Sequence, residues 1–267
     1  MLVGTQAWMT GQSDGRVKCQ PSMLARKHLL LCVGLVAVGF LSDMASANLI
    51  QNPSFEQTPC ITPCNQTQGV MPSNWLSLNS TPDTYSNDGS YGLAPSDGGN
   101  FSGATAQDGI RWVAGWSLAV EIFGQNLAAP LIPGQDYTLS AYLREAVRAD
   151  LAHPGTYQIE LWDAANISAD ELVVGSFQPL IDNQNAWELR TLTFTAPVGA
   201  DTHPFLAFRS LGSTTGAAYP GLDNVDLEAV PEPASLLLLG SGLASLVVWE
   251  TLKQAKHREC SIDSGAA

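Results

Sequence analysis

The chain has 267 residues, 45% of them apolar and 14% charged, with a formal net charge of −13 and a pI near 4.5. Residues 48–229 hold nineteen Asp or Glu against five Arg and no Lys. That balance excludes nucleic acid and anionic lipid as partners of this region, because both need cations to neutralise phosphate. The length suits one domain with an ordinary core plus targeting segments.

Residues 1–22 are polar and without periodicity, and they read as an over-called start. From Met23 the pattern changes: Arg26, Lys27 and His28 form a basic region, Leu29 to Leu41 is apolar, and Ala45-Ser46-Ala47 offers a cleavage site. Residues 23–47 are therefore expected to be a secretory signal peptide. Cys32 follows Leu31, where a lipoprotein signal needs a small residue. The exported chain then begins at Asn48 and carries two nearby cysteines, Cys60 and Cys64, in Thr58-Pro59-Cys60-Ile61-Thr62-Pro63-Cys64. In an oxidising compartment the expectation is a local disulfide. A zinc site would need more soft ligands than the neighbourhood offers.

The opening Asn48-Leu49-Ile50-Gln51-Asn52-Pro53-Ser54-Phe55-Glu56 and the closing Gly221-Leu222-Asp223-Asn224-Val225-Asp226-Leu227 together resemble the first and last strands of galactose-binding-like carbohydrate-binding modules. The resemblance spans residues 48–229 and implies a jelly-roll domain. Between its ends, Thr81 to Gly109 is rich in Asp, Gly, Ser and Asn and reads as long loops. Trp112 and Trp116 follow in a stretch without clear period. Tyr137, Leu139, Ala141 and Leu143 alternate with Thr138, Ser140, Tyr142 and Arg144, a half-buried strand. Ile159 and Leu161 alternate with Gln158, Glu160 and Trp162. Trp187 and Leu189 share one phase and Leu192 and Phe194 the other, which implies either a bulge near Arg190-Thr191 or a strand buried on both faces. Residues 205–209 and 222–227 supply two more strands. No long helical period occurs, so the region is expected to be an all-β sandwich.

Three chemistries follow. The resemblance implies a structural calcium with Glu56 and Asp223 as ligands; Asp97, in a loop, is a third candidate for an ion that takes six to eight oxygens. It also implies glycan binding, for which rings stack on sugar faces beside polar groups. The polar phases place Tyr142, Arg144, Glu160 and Trp162 on one outward face if their strands are neighbours, with Trp112 and Trp116 added from loops. Catalysis is not expected: the acids fall in no recognisable motif, His153 and His203 each precede a proline, and no G-x-S-x-G, H-E-x-x-H or phosphate loop occurs.

The last segment, residues 230–267, opens on Val230-Pro231-Glu232-Pro233. Two prolines around one acid end any strand. The apolar run Leu236 to Trp249 follows, then Lys253, Lys256 and Arg258. Pro231-Glu232-Pro233, the apolar run and the basic end resemble the PEP-CTERM sorting signal of exported bacterial proteins, which implies processing by an exosortase. At about 1.5 Å per residue the run reaches roughly 21 Å, short of a ~30 Å hydrocarbon core, which suits transient membrane insertion. The expectation is an exported, non-catalytic protein of a Gram-negative cell surface associated with extracellular polysaccharide, or else a matrix protein without a specific ligand.

Overall fold

The computed structural model describes residues 47–59, 68–148, 150–151, 155–178, 186–212, 216–231, 242, 244–250 and 253. Residues 23–46 of the expected signal peptide, Cys60, Cys64, Glu232 and Pro233 lie outside them. Ala45–Pro231 form one unit; the second comprises the two ends of the chain. In that second unit residues 244–250 are helical, and no described helix is long and apolar enough to cross a membrane.

The described residues of the first unit form ten strands: β1 (Leu76–Asn79), β2 (Asp83–Ser86), β3 (Arg111–Ala114), β4 (Ile122–Asn126), β5 (Asp136–Glu145), β6 (Thr156–Trp162), β7 (Glu171–Ser176), β8 (Glu188–Thr195), β9 (Phe205–Leu211) and β10 (Pro220–Ala229). They pair antiparallel in two sheets, β1-β4-β9-β6-β7 and β2-β3-β10-β5-β8. Without the short β1 and β2 the orders are 4-9-6-7 and 3-10-5-8, the jelly-roll arrangement, so the all-β jelly-roll sandwich is what the chain adopts.

The alternation read along β5 is physical. Tyr137, Leu139, Ala141 and Leu143 all enter the core between the sheets, where Trp75, Phe123, Tyr157 and Phe208 meet ring to ring. Several local expectations change. The opening segment is not a strand: it follows β10 through single bonds, Leu49 N–H to Leu227 O at 2.9 Å and Val225 N–H to Pro53 O at 3.0 Å. Residues 81–109 are not all loop, because β2 lies within them with every residue buried. In β8 the pairing with β5 runs without a slip. Its phase change arises because β8 is an edge strand: Leu192 and Phe194 face the core, while Leu189, opposite Tyr142, is left exposed outside.

The bulge falls in β10 instead. Register shifts between Asp223 and Asp226, and Asn224 takes a left-handed φ of 48°. One extra residue there turns both Leu222 and Val225 into the core and leaves Asp223 on the other side.

Candidate functional site

Four strands lay a row of residues across the outer face of the second sheet. Strand pairing aligns Asp83 of β2 with Ala114 of β3, Ala114 with Gly221 of β10, and Gly221 with Arg144 of β5. At ~4.8 Å between neighbouring strands, about 14 Å separates the acid from the guanidinium-bearing residue. The two positions between them are small. Gly221 has to be: a Cβ there would meet Trp112 Cδ1 at 3.1 Å and Nε1 at 3.4 Å.

Aromatic rings gather over this row. Trp112 of β3 stacks on Tyr85 of β2, with centroids 5.4 Å apart and planes 12° from parallel. Phe101 sets its edge against both rings, and Trp187 stands perpendicular to Trp112 at 6.0 Å. Tyr219 approaches Tyr85 and Phe101 from the far side. These rings form a second apolar cluster, separate from the core between the sheets. Such rings present negative faces, suited to flat apolar groups and to positive charge.

An acid network runs through the cluster. Tyr219 donates its hydroxyl to Asp83 Oδ2 at 2.5 Å, Asn100 donates to Tyr85 Oη at 3.0 Å, and Tyr85 Oη lies 3.3 Å from Tyr219 Oη. Arg148 donates to Asn100 Oδ1 and continues the chain towards solvent. Burial raises the Asp83 carboxyl above its usual range, against the Tyr219 hydroxyl and the Gly69 N–H that pull it down. The Tyr219 hydroxyl is raised well above its usual value, chiefly by burial. Nearby, burial pushes Glu145, which accepts the Gly155 and Tyr219 N–H groups, up to about 7. Glu121 is likewise pushed to about 7 by burial, opposed by the Trp116 N–H and reinforced by Asp83. Burial thus shifts all three carboxyls towards the protonated form.

The sequence-expected residues divide among several places. Tyr142 and Arg144 stand on the outer face of the second sheet. Glu160 and Trp162 stand on the outer face of the other, because β5 and β6 belong to different sheets; the single outward face expected for the four residues does not exist. Glu160 is fully buried and binds Arg209, Gln158 and the Trp162 indole N–H. Trp112 and Trp162 are buried, so neither ring is open to a sugar face, whereas Trp116 is 42% exposed. Pro231 is exposed.

Glu56 and Asp223 do come together, on one short segment. Glu56 Oε1 accepts the Ile110 and Arg111 N–H groups at 2.7 Å each, and its Oε2 pairs with Arg111 at 2.9 Å. Asp223 Oδ2 accepts the Gln107 and Asp108 N–H groups at 2.7 and 3.1 Å, and its Oδ1 accepts the Asn224 N–H at 2.7 Å. Burial pushes Asp223 up to about 8 against those three donors. Asp97 is placed elsewhere, accepting the Ala94 N–H in its own turn. Each carboxylate oxygen of the Glu56 and Asp223 pair thus accepts at least one N–H group. Among the described residues no group of three or more His, Cys, Asp or Glu could hold a metal. The pair ties the 107–111 segment to the sheet through backbone N–H groups and Arg111.

The acid row and most of its rings escape a reading of the sequence. Asp83, Tyr85 and Phe101 sit in the polar stretch that reads as loop, and Tyr219 reaches Asp83 across 136 positions. The available signal was Tyr85, Tyr91 and Phe101 themselves, three large rings in a segment otherwise poor in apolar residues.

Comparison with known proteins adds the family. Among solved structures the chain is similar to a Stig cyclase from Fischerella sp. TAU in complex with (3Z)-3-(1-methyl-2-pyrrolidinylidene)-3H-indole, at 17% identity over 71% of this chain and 100% of that one, with a TM-score of 0.45. It is also similar to the CBM22-1 xylan-binding domain from Paenibacillus barcinonensis (13% identity, 71% and 98% covered, TM-score 0.42) and to a CBM61 module in complex with β-1,4-galactotriose (14%, 69% and 100%, TM-score 0.37). No curated protein matches the chain. A model of the PEP-CTERM protein-sorting motif matches residues 229–249, which marks an exported protein as the tail implied. A model described as HpiC1 cyclase matches residues 46–208, and this overturns the expectation of a non-catalytic module. That match takes in more than half of the chain, with eight of the ten described strands whole and the start of β9, and the chain belongs to the HpiC1-like family.

Proposed function

We propose that the exported sandwich is a cyclase that closes a ring in a small apolar substrate by acid assistance at the outer face of β2, β3 and β10. Family membership supplies the reaction class. The observation that carries the assignment to this face is the buried Tyr219–Asp83 pair, 2.5 Å between oxygens, set against the stacked rings of Tyr85 and Trp112. The Asp83 carboxyl, whose proton affinity burial raises, gives a proton to a substrate double bond. The positive charge so formed is stabilised by the aromatic cluster that borders the carboxyl, the new ring bond forms, and a proton leaves the product and returns to the carboxylate. Atoms and charge balance over the cycle, so the reaction is an isomerisation and consumes no co-reactant.

The test is to incubate the purified chain with alkenyl-substituted arenes in deuterated buffer. Ring closure initiated by the enzyme's acid leaves one deuterium at a new C–H bond. Asp83→Asn and Tyr219→Phe are expected to lower turnover by about 10²–10⁴-fold, the range of a general acid. Undiminished turnover in Asp83→Asn, or product without deuterium, overturns the assignment.

The sorting motif supports a further step, cleavage of the tail by an exosortase beyond Pro231 after transient insertion in the inner membrane. Mass spectrometry of the protein's C-terminus, from cells with and without the exosortase, tests it. Association with extracellular polysaccharide has an exposed ring to build on among the described residues of the sandwich, Trp116. A polysaccharide pull-down in which Trp116→Ala binds as well as the unaltered chain removes that contact.

A further inference from the structure

At the end of the row opposite Asp83, two buried donors have nothing to donate to. Arg144 is only 7% exposed, and among the described residues its side chain has no hydrogen-bond or ion-pair partner. Its Nε is buried without an acceptor, and so is Trp112 Nε1. Both flank Gly221. Arg144 pairs with Gly221 across β5 and β10, and Trp112 Nε1 lies 3.4 Å from the point a Gly221 Cβ would occupy. Burying a guanidinium without a counter-charge is costly, and folded proteins rarely leave one so. Burial also holds the Arg144 pKa below its ordinary value. The other four arginines of the sandwich all have partners: Arg111 with Glu56, Arg148 with Asp150, Arg209 with Glu160 and Glu171, and Arg190 with the backbone of Gln178.

Two orphan donors beside a residue without a side chain describe a place for acceptor atoms that the chain itself does not supply. A guanidinium offers a planar fork, matched to a carboxylate or a similar oxyanion. We propose that Arg144 and Trp112 Nε1 bind an oxyanionic group of the substrate, a carboxylate in the first instance, beside Gly221. This deepens the cyclase reading, since it rests on the same face. The bound anion fixes one end of the molecule at the β5 side of the aromatic cluster, about 14 Å across the sheet from the acid at ~4.8 Å per strand. Substrates of this site are then apolar acids, and the neutral analogue of the same shape is rejected because it leaves the guanidinium buried and unpaired.

Binding can be read without turnover. The probes are 2-naphthoate and its neutral isostere 2-naphthamide, titrated into the purified full chain and followed by calorimetry. Naphthoate is expected to bind at least tenfold tighter than the amide. Arg144→Gln and Trp112→Phe, the latter keeping a ring but losing the N–H, are expected to weaken naphthoate binding by about tenfold to hundredfold and to leave the amide unchanged. Arg144→Met provides a check independent of any ligand: the melting temperature of the free protein should rise, because an unpaired buried charge is removed. Equal binding of acid and amide, no binding of naphthoate at millimolar concentration, naphthoate binding that survives Arg144→Gln, or a lower melting temperature in Arg144→Met each overturn the proposal. Because these readouts need no reaction, loss of the cyclase assignment would leave the anion site standing, and loss of the anion site would leave the acid end untouched.

Discussion

Glu121→Gln is expected to make the protein less sensitive to alkali, by an amount that the site's geometry sets. The Glu121 carboxyl is buried just ahead of β4 and accepts the Trp116 N–H at 2.6 Å. Burial pushes it from 4.5 up to about 7, with Asp83 adding to the rise and the Trp116 N–H opposing it. The folded protein therefore holds a proton that the unfolded chain has released. The stability this contributes is complete below about pH 4.5 and is lost as pH rises through about 7. A pKa difference of this size corresponds to about 3 kcal/mol, or roughly 6–12 °C of melting temperature for a domain of this length. Gln keeps a carbonyl oxygen for the Trp116 N–H and cannot ionise. Melting curves recorded from pH 4.5 to 8.5 should nearly coincide at the acid end and separate with rising pH, the variant melting higher. A constant offset at every pH, or an unaltered chain that gains stability between pH 5 and 8 relative to the variant, would refute the reasoning.

Three other outcomes are expected. Tyr219→Phe keeps the ring but strips Asp83 of its hydroxyl donor, and should cost about 1–3 kcal/mol in denaturant unfolding; a neutral effect would mean that the pair is not formed. Gly109→Ala places a Cβ 2.5 Å from Glu56 Cδ at a φ of +68°, and should lower stability by about 1–3 kcal/mol. Its failure to do so would show that the segment bound by Glu56 and Asp223 moves freely. If N–H groups alone hold the segment bound by Glu56 and Asp223, chelator should leave the melting curve in place; a fall that added calcium reverses would place an ion there.

The parts of this molecule legible in sequence are those where the two sides of a strand differ. β5 reads cleanly because Tyr137 to Leu143 face a core on one side and a polar surface on the other. β2 and β3 do not, since all four residues of each are buried: an outer face covered by rings erases the polar half of the alternation. β8 misleads for the opposite reason, as an edge strand can leave Leu189 in solvent without penalty. The pairing of Glu56 with Asp223 was legible because both end motifs border the same strand. What binds them was not, since backbone N–H groups carry no sequence signature. Asp83 and Arg144 fall in one row only after three strand pairings have been made, and no local pattern announces the contact of Tyr219 with Asp83 across 136 residues.

The last strand of the sandwich is also the strand nearest the tail. β10 is hydrogen-bonded to β3 on one side and along most of its length to β5 on the other. Immediately beyond it, Val230 is held twice, its N–H by Asp136 O at 2.8 Å and its carbonyl by the Gln135 side chain at 2.8 Å. A pull on the tail, from a membrane or from a processing enzyme, therefore runs lengthwise down a central strand. It loads the flanking hydrogen bonds together in shear and cannot unzip them one at a time from an edge.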